Sequence, residues 1–334
     1  MSNPVIAEAL RGRLIESAHR GSGAVVDADG AIVMAFGDID RPVYPRSAVK
    51  ALQALPLIES GAADRLGLSP KEIALACASH SGESEHVATA RAMLTKAGRN
   101  ESALECGAHW PLSAEASRAL ARSGETPSAL HNNCSGKHAG FVCLACAEGI
   151  DPMSYVAPDH PVQREVASAV AGLTGAELGE ETRGVDGCSI PTYAIPLRAL
   201  ALGFARFGTG QGLEPIRKGA AARIRAAVAA HPAIVAGAGR FDTEVMTLLK
   251  ARAFTKTGAE GMFCAALPEK GLGIAVKVDD GGSRAAQAAT AALIGRFGGF
   301  GEDMRARLAP FATPRLLNWN GVETGVLRPA GPLA

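Results

Sequence analysis

The sequence predicts an α+β fold: one antiparallel sheet built from N- and C-terminal strands, flanked by helices, with a helical lobe inserted between the two strand sets. Three observations carry this expectation. Strand-like segments cluster in the first forty residues, helix-like segments fill the stretch from Ser47 to Lys250, and strand-like segments return after it. Strands and helices do not alternate, as a doubly wound parallel sheet would require. With no low-complexity linker and no internal repeat, the chain reads as one domain over residues 1–334. Its sheet lobe covers about 1–45 and 251–334, and its helical lobe about 46–250. A chain of 334 residues can bury a sizeable core in that form.

Gly23-Ala24-Val25-Val26 and Ala31-Ile32-Val33-Met34 flank Asp29-Gly30. Asp-Gly supplies the backbone conformation that a tight turn needs, so this pair predicts a hairpin. Arg13 to His19 is a candidate third strand. Ser84 opens a helix with Val87, Ala90 and Leu94 at helical spacing, and Gly98 ends it. Ser113 caps a short helix that stops at Gly124. Asp159-His160-Pro161 begins another, proline being favoured at the first helical position. Alanine-rich helices are expected from Pro196 to Phe207 and from Leu213 to Ala230. Gly261 to Leu267 and Gly271 to Val278 flank Pro268-Glu269-Lys270, a second hairpin. Ser283 to Phe297 reads as a buried or amphipathic helix.

The bulk numbers exclude several function classes. A hydrophobic share of 47% with 20% charged residues is ordinary for a soluble globular protein. A formal net charge of +1 leaves no broad field for nucleic acid or an anionic membrane. Aromatic residues at 4% argue against base-stacking platforms. Residues 1–23 lack a basic segment followed by a long apolar run, and no stretch is apolar enough for a membrane span. The cytoplasm is therefore the expected compartment, and the 7 cysteines are expected to be reduced thiols.

Five loops concentrate chemistry. Pro45-Arg46-Ser47-Ala48-Val49-Lys50 sets a hydroxyl and an amine one helical turn apart, a minimal nucleophile–base pair. Cys77-Ala78-Ser79-His80-Ser81-Gly82-Glu83 follows an apolar run. Ser81 or Ser84 there suits a helix cap, while Ser79 lies outside it. Lys256-Thr257-Gly258 precedes the second hairpin. Ser-x-x-Lys early and Lys-Thr-Gly late are two of the three marks of serine penicillin-recognising enzymes. The third, Ser-Asp-Asn, is absent, and Ser79 is its obvious stand-in. His131-Asn132-Asn133-Cys134-Ser135-Gly136-Lys137-His138 and Gly184-Val185-Asp186-Gly187-Cys188 are polar loops that each hold a cysteine. Together they could bind a soft metal through thiolates. With no four-ligand zinc spacing, the residues alone favour two plain thiols. Cys143-Leu144-Ala145-Cys146 has the apolar neighbours of a helix core, not of a redox site. Cys77 and Cys264 read as packing residues, and His19, His86 and His231 as surface or core residues. Gly203, Gly208, Gly210 and Gly212 form no phosphate loop.

Pro45-Arg46-Ser47-x-x-Lys50, Ala78-Ser79-His80-Ser81-Gly82-Glu83, Asn132-Asn133-Cys134-Ser135-Gly136-Lys137-His138, His160-Pro161-Val162-Gln163 and Val185-Asp186-Gly187-Cys188, in this order, resemble the rhizobial-type L-asparaginases, the asparaginase II family. The likeness runs from about Arg20 to the final hairpin. It implies a serine β-lactamase and glutaminase-like fold and a homodimer. It also implies hydrolysis of the L-asparagine side-chain amide to L-aspartate and ammonia. Carried over by position, Ser47 with Lys50 and Ser79 with Lys256 are two catalytic pairs, and zinc falls on Cys134, Lys137 and Cys188. On that chemistry Ser47 is the expected nucleophile and Lys50 its neutral base. Lys256 is the cation that keeps Lys50 neutral, and Ser79 bridges to the leaving nitrogen. Asp186 is the candidate for the substrate's amino group, and Arg46 or His138 for its carboxylate. The alternatives are a glutaminase or a penicillin-recognising hydrolase of the same fold, or a non-catalytic amino-acid or metal sensor.

Overall fold

A computed structural model describes residues 2–334. Its centre is an antiparallel sheet drawn from both ends of the chain. The N-terminal part supplies β1 (Val5–Arg11), β2 (Leu14–Asp27) and β3 (Ile32–Phe36). The C-terminal part supplies β4 (Phe254–Thr257), β5 (Met262–Leu267), β6 (Leu272–Val278), β7 (Arg315–Leu317) and β8 (Glu323–Pro329). The order across the sheet is β7-β8-β1-β2-β6-β5-β4, with β3 paired to β2. The two ends of the chain meet at β2–β6, where Val25 faces Ile274, and at β1–β8, where Ala7 faces Pro329. This is the expected α+β arrangement.

Both hairpins form for the expected reasons. The Asp27 carboxylate accepts hydrogen bonds from the N–H groups of Asp29 and Ala31, while Gly30 takes a φ of +95°. Pro268–Lys270 joins β5 to β6 and ends at Gly271 with φ +68°. The expected strand over Arg13–His19 is the first half of a longer β2. Four strands of this sheet lie outside the sequence expectation: β1, β4, β7 and β8. The β8 segment Glu-Thr-Gly-Val-Leu-Arg-Pro contains a glycine and a proline and reads as loop. It becomes a strand by pairing with β1, where Arg328 also bonds Glu8.

Side chains alternate between two cores. On β5, Met262, Cys264 and Ala266 join the core beneath the helical lobe, while Phe263, Ala265 and Leu267 join the core on the opposite face. That is the period-2 signature of a strand covered on both sides. Helices Ser283–Phe297 and Glu302–Ala312 cover the second face. Helix Leu197–Thr209 lies on the first face. It approaches so closely that a Cβ on Gly273 would stand 1.9 Å from the carbonyl oxygen of Ala201.

The intervening helices follow their signals. Ser113 Oγ caps helix Ala114–Arg122, and His160 Nδ1 caps helix Pro161–Thr174. One cap differs. Glu83, not Ser81 or Ser84, is the N-cap of helix Ser84–Lys96, and His86 Nδ1 accepts from the Glu83 N–H. Ser81 is free for another task. All cysteines are free thiols among the described residues. Cys143 lies on helix Ser135–Ala147 and donates to the Met93 carbonyl, as a packing residue does. Among the described residues no helix is long and apolar enough to cross a membrane.

Candidate active site

Ser47 sits in the 3₁₀ turn Arg46–Val49, which runs directly into helix Lys50–Gln53. Arg46 takes a φ of +51°, sparsely populated for any residue but glycine, so backbone strain sits one residue before the candidate nucleophile. Lys50 is fully buried, and its Nζ turns toward the second serine loop. It donates to Ala78 O at 2.7 Å and to Ser79 Oγ at 2.9 Å, and reaches Cys134 Sγ at 3.2 Å and Asn133 O at 3.4 Å. The bonded serine–lysine pair is therefore Ser79–Lys50. Ser47 Oγ has no hydrogen-bond partner among the described residues.

The Ser79 loop is held from several sides. Ser79 N–H donates to Val235 O and His80 N–H to Asn133 O. His80 Nδ1 accepts from the Gly82 N–H, which leaves the proton on Nε2 to donate to Ser135 Oγ at 2.9 Å. Burial keeps this imidazole well below its usual pKa, so it is a neutral strut between two loops.

Lys256 is the penultimate residue of β4, at the edge of the sheet, and is fully buried. Its Nζ bonds only to Thr257 O, at 3.0 Å. Burial pushes its pKa from 10.5 down to about 7. The nearby Asp242 opposes that shift, and Lys50 and Arg240 add to it. Asp242 itself accepts from the Thr257 N–H at 3.1 Å. The next residue, Gly258, lies against the turn that carries Ser47. A Cβ there would stand 2.7 Å from Pro45 O.

The two cysteine loops meet. Lys137 Nζ donates to Cys188 Sγ at 3.1 Å. A hydrogen bond from Cys188 is the main reason that the Cys134 thiol falls well below its usual range. Burial opposes that fall, and Lys50 and Lys137 assist it. The same bond, with burial, raises Cys188. Burial works against the Lys137 charge, but Cys188, Cys134 and Asp186 together raise its pKa. Two sulfurs and one amine thus gather beside the cavity, a donor set that suits zinc. Among the described residues no trio of His, Cys, Asp or Glu forms a metal cluster, so a metal here depends on Lys137 as its third ligand.

These loops enclose a cavity of about 390 Å³. Its walls include Arg46, Ser47, Ser79, Cys134, Asp186 and Cys188, with Lys50, Lys137 and Lys256 buried behind them. Arg46 Nε donates to Asp186 Oδ1 at 2.5 Å, so these two candidates for opposite ends of a substrate are paired with each other. Burial opposes the Asp186 charge, yet Lys137, Arg46 and the Gly187 N–H hold its pKa below the usual value. His138 is not at the cavity. It is fully buried, and its Nδ1 meets Tyr155 Oη at 2.5 Å. His138 forms no part of the cavity wall, so its expected grip on a substrate carboxylate gains no support from this arrangement. It lies one turn after Cys134 on helix Ser135–Ala147, and its Nε2 is buried without a hydrogen-bond partner.

The structure adds residues that the sequence reading missed. His109 lines the cavity and receives the Asn133 N–H at Nε2, 2.9 Å away. Arg240, just before helix Phe241–Leu249, lines it as well. Neither sits in a motif, and only folding brings them to the site. A larger cavity of about 800 Å³ lies between helices Ser84–Lys96 and Ala114–Arg122. None of Ser47, Lys50, Ser79 and Lys256 reaches it.

The family described as L-asparaginase II matches residues 7–329. No curated protein sequence matches the chain. Among solved structures, a β-lactamase from Mycobacterium bovis is similar at 14% identity and a TM-score of 0.42, covering 83% of this chain and 95% of its own. A structure described as Mglu is similar at 17% identity and a TM-score of 0.38, covering 83% of this chain and 67% of its own. Because the family match spans nearly the whole chain and contains every loop that borders the cavity, the chain belongs to the L-asparaginase II family of amide hydrolases.

Proposed function

We propose that this protein hydrolyses the side-chain amide of L-asparagine to L-aspartate and ammonia through an acyl-enzyme on Ser47. One observation carries the reading. In a single cavity, an uncommitted serine hydroxyl on a strained turn faces a second serine wired to a buried lysine. A lysine must lose its proton to act as base. We assign that role to Lys256, not Lys50. Lys256 has a single hydrogen-bond partner, Thr257 O, and burial pushes its pKa down to about 7. Burial lowers the pKa of Lys50 as well, but its amine faces four acceptors, which favour the ammonium.

In this scheme Lys256 takes the Ser47 proton as Oγ forms its bond to the amide carbon. Ser79, oriented by Lys50, passes a proton to the amide nitrogen. The C–N bond breaks and ammonia leaves. Water then attacks the ester, the C–Oγ bond breaks, and aspartate is released with Ser47 restored. The N–H groups of Ser47 and Ala259 border the cavity without acceptors among the described residues, which suits an oxyanion site. Asp186 receives the substrate ammonium. Cys134, Lys137 and Cys188 would hold zinc. When bound, it would supply a fixed positive charge and pin the two loops. The working form is proposed as a homodimer.

An ammonia-release assay on L-asparagine, with Ser47→Ala beside the wild type, tests this reading. Turnover should fall by roughly 10³-fold or more. Acid-quenched mass spectrometry should place a transient aspartyl adduct on the Ser47 peptide. The Ser79–Lys50 bond favours a second reading in which Ser79 is the nucleophile, and an adduct on Ser79 would establish it. Near-full turnover by Ser47→Ala would reject the first.

A further inference from the structure

The cavity contains two arginines, and their commitments differ. Arg46 is spent on Asp186. Arg240, half-buried, lies more than 4 Å from every carboxylate of the described residues. Its side chain makes a single bond, from Nη1 to Ser81 Oγ at 3.2 Å. Ser81 is itself buried, and its hydroxyl proton goes to Ala236 O at 2.9 Å. Its oxygen is thus turned to receive the guanidinium. That anchors one of the five N–H donors of an arginine and leaves the planar fork available. A partly desolvated guanidinium without a counter-ion, in front of buried amines, calls for an anion with two oxygens.

We propose that Arg240 binds the α-carboxylate of the substrate and selects a free amino-acid amide over one whose carboxyl group is esterified or in a peptide bond. This rests on the asparaginase reading. It completes a three-point fit: ammonium on Asp186, side-chain amide at Ser47, carboxylate on Arg240. Ser81 acts through Arg240 as a positioning residue, which gives the Ser-Gly-Glu part of its loop a role beyond helix capping.

The test compares L-asparagine with L-asparagine methyl ester, whose α-carboxylate charge is removed while the side-chain amide is kept. Side-chain hydrolysis is followed by chromatography of the aspartyl product. Wild type should prefer the free acid by about 100-fold in kcat/KM, the usual range for a charge-assisted pair. Arg240→Gln should lose that preference through KM for asparagine, with ester turnover changing less than about threefold. Arg240→Lys should restore part of it, since an ammonium keeps the charge but not the fork. Ser81→Ala should raise KM for asparagine and spare the ester. Equal loss on both substrates in Arg240→Gln, or an unchanged preference, overturns the proposal. A calorimetric titration with L-aspartate separates this from failure of the asparaginase reading. Even if wild type released no ammonia, it should bind L-aspartate and Arg240→Gln should bind it about 100-fold more weakly. Absent or equal binding in the two proteins overturns the role of Arg240.

Discussion

Replacing Lys256 by methionine removes a buried amine and keeps an unbranched chain of similar volume. The magnitude follows from the structure. The amine has a pKa of about 7 in the fold against its ordinary 10.5. Between these limits the unfolded chain holds a proton that the native protein does not, so native stability rises with pH across that window. The penalty is fully present below about pH 7, where a charged amine is buried, and is gone above 10.5. Each pH unit is worth about 1.4 kcal/mol, so the whole interval amounts to about 5 kcal/mol, of which about 2 kcal/mol falls between pH 7 and 9. Urea unfolding of wild type and Lys256→Met at pH 7, 8 and 9 isolates the group, because other titrations cancel in the difference. The variant's stability advantage should be largest at pH 7 and shrink by about 2 kcal/mol by pH 9. The same variant should lose turnover, and wild-type kcat/KM should rise through pH 7 as the amine becomes neutral. Parallel stability curves across that range would refute a strongly depressed Lys256 and, with it, the choice of base.

His138→Gln should lower stability by about 1–3 kcal/mol, because Tyr155 loses a buried partner, while KM for asparagine stays within about threefold; a large rise in KM would return His138 to the substrate site. Gly273→Ala should destabilise the fold by about 3 kcal/mol or more in urea titrations, since its methyl group would meet the Ala201 carbonyl; an unchanged midpoint would contradict the packing described. Elemental analysis of protein purified without added metal should find zinc, and Cys134→Ser with Cys188→Ser should lack it; retention by that variant would remove the metal site. Nitrocefin should remain uncleaved under conditions in which asparagine releases ammonia, and the reverse outcome would favour a penicillin-recognising enzyme.

Much of the frame was legible because local signals act locally. Asp29-Gly30 and Pro268-Glu269-Lys270 mark their hairpins through turn geometry, Ser113 marks a helix start by offering an acceptor to an orphan N–H group, and Pro161 marks another by its fixed backbone angle. The loops carrying Ser47, Ser79, Cys134 and Asp186 were visible as polar islands, and all four border one cavity. What was not legible depends on partners distant in sequence. β1 and β8 are weak strands by composition; besides their local partners β2 and β7, each gains the other as a partner across more than three hundred residues.

The sequence by itself determined the chemistry on offer: two serines, three lysines and two thiols in named loops, and an α+β order of elements to present them. The tertiary structure decided how that chemistry is wired. A lysine side chain reaches whichever acceptor the fold brings near, so Lys50 went to Ser79 and not to the serine one turn before it. Burial, which no spacing encodes, separated Lys256 from an ordinary amine. A helix turned His138 into the core, and the chain's return before helix Phe241–Leu249 set Arg240, a residue in no motif, beside the reacting groups.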